Sequence, residues 1–110
     1  MKITEITSLE NAKTLCDGTQ KGTFIIFKHS PRCSVSAVAW NRFNRHSANL
    51  PAETTVYFVN VLTNREGSQL LAKHFRVEHE SPQVLVVKNS SCVFSISQNA
   101  IDVTELIVFC

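Results

Sequence analysis

At 110 residues, 44% of them hydrophobic and 18% charged, with only three glycines and three prolines, the chain has the composition of one packed domain, not of a disordered segment or a pair of domains. Its formal net charge of +2 is small and its basic residues are scattered, which predicts neither a nucleic-acid partner nor a membrane partner. No apolar run approaches the roughly 20 residues that span a bilayer.

The opening Met1-Lys2-Ile3-Thr4-Glu5-Ile6 has an early acid and none of the apolar stretch of a secretory signal, so a cytoplasmic location is expected. Thiols are kept reduced there, and the four cysteines do not by themselves imply structural disulfides. Within this opening, Ile3 to Ile6 is a candidate edge strand. Ser8 is placed to cap a short helix in which Leu9, Ala12 and Cys16 recur at helical spacing, and Asp17-Gly18 stops it. Phe24-Ile25-Ile26-Phe27 is apolar without alternation and leads into the turn-like His29-Ser30-Pro31, as in a central strand covered on both faces.

After Cys33 the pattern becomes helical, with Val35, Ala39 and Phe43 four apart and Val38 widening the stripe until Asn49-Leu50-Pro51 ends it. The β-branched and aromatic residues of Thr55 to Val61 predict a strand, and Asn64 to Phe75 a helix with Leu71 and Phe75 on one face. Ser81-Pro82 precedes the strand Val84 to Val87. After the turn Asn89-Ser90-Ser91 another strand is expected to put Cys92, Phe94 and Ile96 on one side, which makes a hairpin. Asp102 to Phe109 reads as a last helix, with Asp102 and Glu105 at capping-box spacing. The order predicts an α/β chain of thioredoxin-like fold: a central mixed sheet of four to five strands flanked by helices, in a single domain over 1–110.

Cys33 is the candidate nucleophile. It follows the loop that leaves the central strand and stands at the start of the next helix, where unpaired amides and the helix dipole favour an anion, and Arg32 adds positive charge. Ser36 is placed either to donate a hydrogen bond to the Cys33 sulfur or simply to face solvent on the first helical turn. His29 precedes Cys33 by four residues across a turn and reads more as a structural histidine than as a general base. Cys16 and Cys92 fall on apolar faces and are expected to be inert, while Cys110 is expected to be exposed. The cysteine gaps hold no CxxC pair and His74 and His79 form no metal spacing, so neither a metal site nor a tightly bound cofactor is expected.

Phe27-Lys28-His29-Ser30, the CxxS motif Cys33 to Ser36 and His79-Glu80-Ser81-Pro82-Gln83 together resemble the monothiol bacilliredoxins of YtxJ type over essentially the full length. The chain departs from that family in having Ser34 where proline is common after the reactive cysteine. The resemblance implies that Pro82 is cis and lies beside Cys33, that Ser30 belongs to the reactive loop, and that Ser81 offers its backbone to an extended substrate. It also implies that Cys33 attacks mixed disulfides between proteins and bacillithiol or a similar low-molecular-weight thiol. Two other readings stay open at this point. One is an iron-sulfur carrier like the monothiol glutaredoxins, whose motif is CGFS where this chain has CSVS. The other is a non-enzymatic module that grips a peptide at the Pro82 groove.

Overall fold

The computed structural model describes residues 1–109, so the expectation for Cys110 lies outside the described residues. The elements are β1 (Lys2–Ile6), α1 (Leu9–Thr14), β2 (Thr23–His29), α2 (Ser34–His46), β3 (Thr55–Asn60), α3 (Arg65–Phe75), β4 (Gln83–Lys88), β5 (Ser91–Ser97) and α4 (Val103–Ile107). The five strands form one sheet in the order β1-β3-β2-β4-β5. Parallel pairing joins β1 to β3 and β3 to β2, and antiparallel pairing joins β2 to β4 and β4 to β5. No helix among the described residues is long and apolar enough to cross a membrane.

Because successive side chains of a strand point to opposite faces, the apolar run of β2 feeds two cores. Ile25 and Phe27 meet Ala39 and Phe43 of α2 and Val103 and Leu106 of α4. Phe24 and Ile26 meet Ala12 of α1, Leu15 just after it, and Leu71 and Phe75 of α3. The first core holds an aromatic cluster, in which the Trp40 ring lies 4.8 Å from Phe27 and 4.6 Å from Phe58.

Three local expectations are corrected. The first helix ends at Thr14 with Leu15 as its cap, so Cys16 lies beyond it and is only half-buried. Cys92, Phe94 and Ile96 do not share a face: Cys92 packs on the α1/α3 core, Phe94 and Ile96 on the other. The cause is an irregularity in the β4–β5 ladder between Val86 and Val87, which pair with Phe94 and Cys92. A bulge inserts one residue and so reverses the alternation on one side of it. The last helix spans only Val103–Ile107, and the Asp102 carboxylate caps it by accepting from the Thr104 N–H at 2.9 Å; the reciprocal bond from Glu105 that a capping box needs is not among its hydrogen bonds.

Asn64 ties the α1/α3 side together. Its buried side chain accepts from the Gly67 N–H at 3.1 Å, capping α3, and donates to the carbonyls of Ile6 and Ser8 at 3.0 Å each. A Cβ at position 67 would lie 2.6 Å from the Asn64 amide, so glycine is what lets the cap close. Asn64→Ala removes three hydrogen bonds at once and is expected to lower the unfolding free energy by about 3 kcal/mol, measured by denaturant titration.

Candidate active site

The apolar strand β2 ends at His29, and Ser30-Pro31-Arg32 carries the chain to Cys33, the N-cap of α2. The Cys33 N–H donates to the Ser30 carbonyl at 3.1 Å, and its carbonyl accepts from Ala37 at 3.2 Å. Its side chain makes no capping hydrogen bond, no acid stands in the first turn of α2, and the thiol is half-buried. Arg32 is exposed beside it. The sulfur therefore sits free at the positive end of a 13-residue helix.

Ser36 takes neither of its two expected positions. It is fully buried, and its Oγ accepts from the Ser30 N–H at 2.9 Å and lies 3.2 Å from His29 Nδ1. The hydroxyl is engaged by the Ser30 backbone and the His29 ring. His29 is thus part of a clasp that holds the Ser30–Cys33 loop on the first turn of α2. Burial pushes the His29 pKa below the usual histidine value.

Antiparallel pairing sets Lys28 opposite Gln83, so the loop leaving β2 and the loop leading into β4 lie at the same end of the sheet. The Ser81–Pro82 bond is cis, Pro82 is buried and Ser81 half-buried. The Pro82 carbonyl accepts from the Gln98 N–H at 2.8 Å, which fixes this loop to the end of β5.

Sequence reasoning missed the group beneath these loops. Lys28 is fully buried on the α3 side, its Nζ 2.7 Å from His79 Nδ1 and 3.3 Å from Gln83 Oε1. Ser68 Oγ lies 3.4 Å from the same histidine nitrogen, and Gln83 donates to the Glu78 carbonyl at 2.8 Å. Burial pushes the Lys28 ammonium down to about 8. His79 is lowered by burial first, then by Lys28 and Arg65, against an opposing effect of Glu80. The available signal was the period of two that puts residue 28 on the same face as Phe24 and Ile26.

Cys16 and Cys92 are separate from this site. Both are half-buried against the α1/α3 core, and burial pushes both thiols up, with Asp17 adding to the effect at Cys16. That disfavours the thiolate, the form that attacks disulfides.

The sequence matches the family described as monothiol bacilliredoxin BrxC over residues 4–106. Among solved structures, a protein described as a candidate oxidoreductase with a thioredoxin fold superposes with a TM-score of 0.80 at 27% identity, over 94% of this chain and 89% of that one. Reduced Schistosoma mansoni thioredoxin pre-protein superposes with a TM-score of 0.75 at 14% identity over 100% of both chains, and Fasciola hepatica thioredoxin with 0.70 at 16% over 98% and 97%. The fold is thioredoxin-like, with a mixed five-stranded sheet flanked by helices.

Two substitutions probe the polar groups. Ser36→Ala leaves the buried Ser30 N–H without an acceptor and is expected to destabilise the chain by about 2 kcal/mol in denaturant titrations. For Lys28, the folded chain binds the proton less tightly than the unfolded chain does, so stability must rise with pH between about 8 and the ordinary lysine value of 10.5. Relative to Lys28→Met, the natural chain should gain about 3 kcal/mol across that window, and equal pH slopes in the two proteins would contradict a buried cation.

Proposed function

This chain belongs to the monothiol bacilliredoxin family, a redox family of thioredoxin-like oxidoreductases, and from that premise we propose that Cys33 removes bacillithiol, or a similar low-molecular-weight thiol, from protein mixed disulfides in the cytoplasm. The observation that carries the reading is the placement of Cys33 at the N-cap of α2, at the sheet end where the Ser81–Pro82 loop also lies.

The Cys33 thiolate attacks the bacillithiol sulfur of the mixed disulfide. A new bond forms between the Cys33 sulfur and bacillithiol as the old disulfide bond breaks. The target protein leaves as a thiolate and takes a proton from water, so the target is reduced and Cys33 becomes the mixed disulfide. The Cys33 side chain stands at the N-terminus of α2 with no capping hydrogen bond to break before attack. The Ser30–Ser36–His29 clasp holds the loop so that the sulfur keeps its place, and the backbone of Ser81 offers hydrogen bonds to an extended segment of the target.

Ser36 has no sulfur with which to resolve the captured thiol. Turnover therefore uses a second, external thiol, which attacks the bacillithiol sulfur and returns Cys33 to the thiolate. No tightly bound cofactor takes part in either step.

Mass spectrometry after incubation with a bacillithiolated protein tests this reading. Bacillithiol is expected on Cys33, with release of the target thiol, and Cys33→Ser is expected to abolish the transfer. Retained transfer in that variant, or capture on Cys16, Cys92 or Cys110, would overturn it. In Ser36→Cys the new thiol stands in the resolving position, and the variant is expected to close a disulfide with Cys33 and release the captured thiol without added reductant.

A further inference from the structure

A cavity of about 250 Å³ opens beside the reactive loop. Its polar lining comes from Ser30, Arg65, Ser68, Gln69, His79 and Ser81, and no carboxylate side chain lines it. Ser30 joins it to the chemistry, because the Ser30 carbonyl holds the Cys33 amide at 3.1 Å.

Behind His79 lies the fully buried Lys28. Its two partners, His79 Nδ1 and Gln83 Oε1, are neutral acceptors, and the one ion pair among the described residues is Lys13–Glu10, elsewhere on the surface. A buried charge without a counter-charge is unfavourable. An ammonium group only donates hydrogen bonds, so His79 Nδ1 must accept, and the neutral ring carries its proton on Nε2. That N–H is a fixed donor on the side of the ring away from Lys28. The cavity thus combines a guanidinium, an imidazole N–H and hydroxyl groups with a cation beneath them, and its volume is enough for a small anionic group.

We propose that this cavity is the subsite for a carboxylate of the low-molecular-weight thiol captured at Cys33, with Arg65 and His79 Nε2–H as direct donors and Lys28 as the buried counter-charge. The assignment rests on the thiol-exchange reading of Cys33. Its contribution is to select thiols that carry a carboxylate within reach of the sulfur.

The test titrates malate, as the probe, into the reduced full-length chain at constant ionic strength and follows it by NMR, with inorganic phosphate in a parallel series. Saturable shifts are expected at Ser30, Arg65, His79 and Ser81. Arg65→Gln is expected to weaken malate about tenfold, the loss typical of one charge-assisted hydrogen bond. Saturating malate is also expected to slow the capping of Cys33 by bacillithiol disulfide. Shifts that do not saturate, or equal affinity in Arg65→Gln, would overturn the subsite. Phosphate binding as tightly as malate, with capping unaffected by either, would make this a free-anion site and overturn its assignment to the thiol. The titration needs no reaction at Cys33, so a chain that binds malate and is never capped would count against the exchange reading and leave the anion site standing.

Discussion

The antiparallel pairing of β2 with β4, which sets Lys28 opposite Gln83, is the contact on which the whole site depends. It places the end of one strand beside the start of the other, so two loops some fifty residues apart in sequence become neighbours. The pairing is held in a buried sheet whose backbone groups have no water to turn to. A slip of one residue would turn Lys28 toward α2 and Phe27 toward α3, and both cores would be lost.

The end of β2 serves two polar networks because consecutive residues face opposite ways. His29 turns to the α2 side, where its ring lies 5.3 Å from Phe58 and its Nδ1 meets Ser36. Lys28 turns to the α3 side, where it meets His79 and Gln83. The first closes within a few residues of the chain, and the second is closed by groups from a distant part of it. No buried side-chain nitrogen or oxygen among the described residues lacks a hydrogen-bond partner. The cost of placing polar side chains at a sheet end is therefore offset locally on each face.

The monothiol character of the motif has a structural side. Ser36 accepts one hydrogen bond from the Ser30 backbone and pairs with His29 Nδ1, and a thiol makes both contacts more weakly. A second cysteine would add a resolving sulfur while loosening the clasp on the reactive loop. Serine at this position holds the loop before Cys33 and supplies no second sulfur.

The sequence by itself determined the order of strands and helices, the central position of β2 and the placement of Cys33 between a strand and a helix. These depend on periodicity and on turn residues, which act between near neighbours in the chain. The tertiary structure alone decided the face of Cys92, because a bulge in the β4–β5 ladder reverses an alternation that looks unbroken from Cys92 to Ile96. It also decided the partners of Ser36, since a hydroxyl on the first turn of a helix has the same local spacing whether it meets a sulfur, solvent or a backbone amide. The Lys28–His79 contact spans 51 residues and exists only because the strand register brings the two together; nothing within one turn of either residue encodes the other.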